Sequence, residues 1–169
     1  MVAMTSSGTA VVTLPRDTRI KIVREFAAPK HLVYKAYTTP ELIKRWWYAK
    51  RGEVTIAEVD LRVGGAWRYV MVTPEGFEVG FHGLFREIVP NQRLVSTEVF
   101  EGMPGEAPPG DASASVNSVT FTEKDGRTTL TVLSDYPSQE IRDIVIQSGM
   151  EAGMQDAYDL LEEVAASLA

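Results

Sequence analysis

The chain contains no cysteine. That absence excludes disulfides, thiolate metal sites and a cysteine nucleophile, and leaves the fold to be held by its core. A cysteine-free chain suits a reducing compartment, and a cytoplasmic location is the expectation. Histidine is nearly missing too. The two present, His31 and His82, stand in no recognisable ligand spacing, so both read as structural and no metal site is expected. No apolar run approaches the ~20 residues that a membrane-spanning helix needs. Met1 to Ala10 is small and polar, with no basic stretch leading into an apolar one, so neither a secretory leader nor membrane insertion is expected. Excess positive charge is lacking as well: the formal net charge is −6. The one basic cluster, Lys44, Arg45, Lys50 and Arg51, reads as a solvated helix end, and no nucleic-acid partner is expected. There is no Gly-x-Ser-x-Gly elbow and no glycine-rich phosphate loop. No catalytic constellation and no cofactor follow from the motifs.

What is present is an ordinary globular composition, 44% hydrophobic and 24% charged over 169 residues. It predicts a flexible segment over residues 1–17 and one domain over 18–169. Thr18 to Phe26 alternates as a strand. Ala28-Pro29 opens a helix whose inner face is Leu32, Val33, Ala36 and Tyr37. Thr39-Pro40-Glu41 then starts a second short helix, ending near Trp46 or Trp47. From residue 53 the period changes to two. Strands are predicted over 53–61, 66–73, 79–89, 94–101, 115–123 and 127–134. The turns between them are Gly64-Gly65, Pro74-Glu75-Gly76, Pro90-Asn91 and Lys124-Asp125-Gly126, the pattern of an antiparallel meander. Residues 102–114, rich in Gly and Pro, read as a mobile lid or a tolerated insertion. Ser138 to about Leu168 keeps a helical period without proline, which predicts one helix of roughly 45 Å.

The order strand, two short helices, six strands and a long helix resembles the START-related helix-grip superfamily. Within it the chain is similar to the heat-shock-protein ATPase activator homologue family. Four segments carry the likeness: Ala28-Pro29 to Trp46-Trp47, Asp60 to Trp67 (DLRVGGAW), Gly83 to Pro90 (GLFREIVP) and Ser148 to Met154 (SGMEAGM). The resemblance implies an α+β helix-grip fold, a curved antiparallel sheet of six or seven strands wrapped on the C-terminal helix, with a cavity between them. Relatives of this kind include lipid carriers, hormone receptors, cyclases and co-chaperone domains. The chaperone-gripping half of the eukaryotic activator is a separate domain, so a chaperone partner is not expected here.

Strand alternation places Trp67, Tyr69 and Met71 on one face, taken as the inner one. Along 79–89, the face with Phe81, Gly83, Phe85 and Glu87 is taken as inner because it holds the aromatics. Glu87 then becomes a buried carboxylate paired with Arg62, Arg68 or Tyr69, or one with a raised pKa and acid/base capacity. Trp47, at the end of the second helix, and Tyr158 join this set, with Asp135 as a further polar group near the mouth. In the last helix Gly149 and Gly153 lie four apart on one face, flanked by Met150 and Met154. Two glycines inside a helix cost roughly 2 kcal/mol against alanine, so close approach of a neighbour or a ligand must offset them. Two functions follow. One is binding of a small apolar or aromatic molecule, with cyclase-like or lyase-like activity left open; the other is a co-chaperone-like interaction module. A monomer or weak homodimer is expected in either case.

Overall fold

The computed structural model describes the backbone of residues 2–3 and residues 10–101 and 114–169 in full. The order of elements is β1 (Val2–Ala3), β2 (Val11–Leu14), β3 (Arg19–Phe26), α1 (Lys30–Thr38), α2 (Pro40–Trp46), β4 (Glu53–Val59), β5 (Ala66–Val72), β6 (Glu78–Val89), β7 (Arg93–Phe100), β8 (Ser115–Lys124), β9 (Arg127–Asp135), α3 (Gln139–Gln147) and α4 (Met150–Ser167). The strands form one antiparallel sheet in the order β1-β2-β3-β9-β8-β7-β6-β5-β4. The steps from β4 to β7, and from β8 to β9, are hairpins or short meander turns, so register there is set locally. The fold is the α+β helix-grip arrangement, with the predicted strands extended by two at the N-terminal edge.

One face of the sheet alternates into the core: Ile20, Ile22 and Phe26 on β3, Leu130 and Val132 on β9, Val119 and Phe121 on β8, Leu94 on β7. Against it lie Val33, Tyr34 and Ala36 of α1, Ile43 and Trp46 of α2, and Met154, Ala157, Tyr158, Leu161, Val164 and Ala165 of α4. Arg24 interrupts the apolar series on β3. Its guanidinium is 3% exposed, lies over the Phe26 ring and reaches Asp159 at 2.7 Å and Glu162 at 3.4 Å on α4. This pins helix to sheet, because a buried guanidinium must keep its carboxylate partners.

Two sequence expectations change here, and a third lies outside the described residues. Part of the segment expected to be flexible is built in: Ala10 and Val12 are fully buried, and β2 pairs with β3. Gln155 of α4 bonds both backbone groups of Ala10, at 3.1 and 2.9 Å, as a strand neighbour would. The single long helix is two. Ser138 caps α3 through its side chain, as read, but Gly149 takes φ +85° and ends the first helix before α4 begins. A left-handed residue cannot continue an α-helix, and glycine adopts it without a Cβ clash. The proposed lid falls almost wholly on residues outside the described ones.

Candidate functional site

The most informative side chain on the inner face is one that strand alternation hides. On β7 the β-branched set Val95, Thr97 and Val99 resembles a core face. Yet Leu94 pairs with buried Val119, which turns Leu94, Ser96 and Glu98 toward α4. The neighbouring β6 does not alternate without a break. Val89, Ile88 and Glu87 pair with Arg93, Leu94 and Val95, but beyond a β-bulge Phe85 faces Ser96 and Phe81 faces Phe100. One extra residue, Arg86, flips every side chain past it.

The bulge also corrects the reading of Glu87. Phe81 and Phe85 share the inner face, but Glu87 turns to the other one. It is 46% exposed there and bonds Arg93 at 2.9 Å. None of the partners considered for it is used: Arg62 bonds Asp60 and Arg68 bonds Glu101.

Glu98 is the buried carboxylate of this face. Loss of hydration raises its pKa from 4.5 to about 7, opposed by a hydrogen bond with Asn117. Asn117 lies diagonally across the β7–β8 pairing, where Ser96 faces Asn117 and Glu98 faces Ser115. The other end of that amide, Oδ1, is buried and has no hydrogen-bond partner among the described residues. No cation pairs with Glu98 among the described residues either.

Five tyrosines converge on this carboxyl from five elements. They are Tyr37 (α1), Tyr48 (after α2), Tyr69 (β5), Tyr136 (after β9) and Tyr158 (α4). Burial holds every one of these hydroxyls above its usual pKa, Tyr48 at about 12, with the charge of Glu98 adding to the effect. At neutral pH they are O–H groups, not phenolates. Tyr37, Tyr48, Tyr69, Tyr136 and Glu98 are enclosed deep within the protein, yet each keeps some accessible surface. They gather in the region between the sheet and α4.

The apolar wall of that space starts from α2. Trp46 is buried, donates from Nε1 to the Ala36 carbonyl at 2.9 Å and stacks on Tyr37. Trp47 turns the other way, its ring centroid 4.9 Å from Tyr48, 5.4 Å from Tyr69 and 5.8 Å from Phe81. Tyr48 has φ +48°, a left-handed backbone that a bulky side chain adopts at a cost. Its ring is seated against α4 at Gly153, where an added Cβ would lie 2.8 Å from Tyr48 Cε1. Gly153 thus makes room for Tyr48.

The remaining candidates divide. Met150 and Met154 flank Gly153 on the buried side of α4, Met154 in the core and Met150 against it. Tyr158 packs edge-on to Phe26 at 6.0 Å. Trp67 lies 4.8 Å from Tyr69 and donates to the Thr97 carbonyl across Gly83. Met71 is buried, covering Gly52. Gly149 is exposed, with open space where a Cβ would stand, so it does not border the site. Asp135 bonds Thr18 and Arg19 at the sheet end. Sequence reading missed Glu98, Asn117, Tyr48 and Tyr136. Alternation along β7 from Leu94 and along β8 from Val119 carries the first two.

A groove of about 680 Å³ opens on the sheet near β4–β7, rimmed by Arg68, His82 and Leu84. Its charges are mutually satisfied, since Arg68 and His82 both bond Glu101, at 2.9 and 2.7 Å. Among the described residues no cluster of His, Asp and Glu could hold a metal ion. No helix there is long and apolar enough to cross a membrane.

A curved antiparallel sheet closed by a C-terminal helix is the architecture of the helix-grip class. Within that class the chain belongs to the activator of Hsp90 ATPase homolog 1-like family, whose profile matches residues 27–166. Solved structures agree. A Rhodobacter sphaeroides protein is 27% identical with a TM-score of 0.82, over 94% of this chain and 98% of its own. A Mycobacterium smegmatis protein is 26% identical, TM-score 0.79, over 96% of each chain. One from Nitrosomonas europaea is 25% identical, TM-score 0.78, over 93% of this chain and 99% of its own. No curated protein matches the chain.

Proposed function

We propose that the chain binds a small, largely apolar or aromatic molecule in the space between sheet and α4, with Glu98 and Asn117 as its polar floor. The observation that carries this reading is a buried carboxyl ringed by tyrosines that are enclosed yet accessible. An internal apolar pocket with a few convergent polar groups is the ordinary form of a small-molecule site. The co-chaperone-like reading has less support. The large apolar side chains that stay exposed, among them Val11, Phe77, Leu84, Phe100 and Ile144, are spread over separate elements, whereas a docking surface gathers them.

The test uses the neutral fluorophore N-phenyl-1-naphthylamine. Saturable binding to the parent at about one per chain is expected. Ser96→Leu places a larger side chain on the inner face beside Asn117. It should weaken the probe at least tenfold while leaving thermal stability equal or higher. A parent that does not take up the probe, or a variant that binds it unchanged, removes the reading.

A further inference from the structure

The interior holds an electrostatic mismatch that a purely apolar ligand leaves unresolved. Glu98 faces the space and, among the described residues, has one hydrogen-bond partner, Asn117. With Asn117 spending its N–H on that carboxylate, its Oδ1 is a second acceptor with nothing to accept from. Asn117 Oδ1 is itself buried, so the acceptor open to a ligand is the carboxylate, whose best donor is positively charged. The nearest cations act elsewhere. Arg51 is 45% exposed and bonds Asp156 at 2.9 Å. Arg24 is engaged with Asp159 and Glu162.

The walls fit the same chemistry. Trp47, Tyr48, Tyr69 and Phe81 present a contiguous set of rings, with centroids 4.9–5.8 Å apart around Trp47. Ring faces attract a desolvated ammonium. The tyrosine hydroxyls remain neutral, so they add no charge that would compete for the cation. An anionic ligand meets the opposite situation: a like charge at Glu98 and, among the described residues, no cation paired with it to receive the ligand.

We propose that this space is built for an apolar or aromatic molecule carrying one cationic ammonium nitrogen, received by the Glu98 carboxylate and enclosed by the Trp47, Tyr48 and Tyr69 rings. The inference rests on the binding reading above and narrows it to a ligand class. Binding of the cation favours ionised Glu98, so affinity rises with pH through the titration of that carboxyl. The other ionisable groups facing it are Tyr37, Tyr48, Tyr69, Tyr136 and Tyr158, and all stay protonated across that window.

Three probes of one shape separate the outcomes: 1-naphthylmethylamine (cationic), 1-naphthylmethanol (neutral) and 1-naphthoate (anionic). They are titrated calorimetrically into the parent and Glu98→Gln at pH 6 and pH 8. The amine should bind the parent about tenfold tighter than the alcohol at pH 8. Its advantage should shrink at pH 6 and vanish in Glu98→Gln, which keeps the alcohol. Naphthoate should bind weakest to the parent. Equal affinity for amine and alcohol, or an amine preference that survives Glu98→Gln, overturns the cation inference and leaves the binding reading standing. Failure of all three probes and of N-phenyl-1-naphthylamine overturns both. Circular dichroism and thermal unfolding of Glu98→Gln establish that the variant is folded.

Discussion

Replacing Glu98 by glutamine removes an ionisable group from the interior without changing its shape. In the folded chain the carboxyl titrates at about 7 rather than 4.5, chiefly because burial penalises its charge. Between these values the unfolded chain ionises while the folded chain keeps its proton. The folded state therefore binds more protons, and stability falls as pH rises through this window. The shift corresponds to about 3 kcal/mol, complete above pH 7 and absent below pH 4.5. Glutamine does not titrate, and its amide can both accept from and donate to Asn117. E98Q should therefore match the parent near pH 4.5 and exceed it by about 3 kcal/mol at pH 8, or by roughly 6–12 °C in Tm for a chain this long. Urea unfolding followed by tryptophan fluorescence from pH 4.5 to 8.5 reads the difference directly. Glu101 does not blur the result. Its hydrogen bond with Arg68 lowers its pKa, so its contribution is lost only as pH falls below the usual carboxylate range. Parallel stability curves for parent and variant across pH 5–8 would show that Glu98 is solvated, and both functional inferences would lose their anchor.

The two glycines of the C-terminal region should behave differently. Gly153→Ala pushes a Cβ into the Tyr48 ring and should cost about 1–3 kcal/mol in thermal unfolding, with loss of probe binding; an unchanged variant would mean that Tyr48 is not seated there. Gly149→Ala meets no atoms but must hold φ +85°, so it should cost about 1–2 kcal/mol with probe affinity retained. Gly149→Asn should cost less, because asparagine tolerates that conformation, and equal costs would refute the backbone explanation. Gln155→Ala leaves the Ala10 backbone groups unpaired and should cost about 1–3 kcal/mol. Amide exchange in Val11–Leu14 should rise most; uniform protection would show that β2 does not depend on α4.

Local chemistry determined which elements this chain forms. Period-two alternation and turn residues specified β3 to β9, because a half-buried strand must alternate and a tight turn needs its Gly, Asn or Pro. Thr39-Pro40-Glu41 marked α2, and Ser138 capped α3 as its position implied. The four segments of family likeness fixed the order of elements, and the helix-grip fold with it. The break at Gly149 was not legible, since a glycine in a helical pattern reads the same whether it packs closely or turns left-handed. What filled the interior was decided by tertiary structure alone. Counted back from the Pro90-Asn91 turn, Phe85 would face Thr97 and share a face with Glu87. The bulge makes Phe85 face Ser96 instead. Composition carries no trace of one inserted residue in a ladder, yet that residue turns Glu87 away from the face that Phe81 and Phe85 occupy. Tyr48 and Tyr136 lie outside the regular elements, in stretches whose periodicity says nothing about direction. The packing of α4 through Gly153 seats Tyr48, because side chains so far apart in the chain meet only when the sheet closes around its helix.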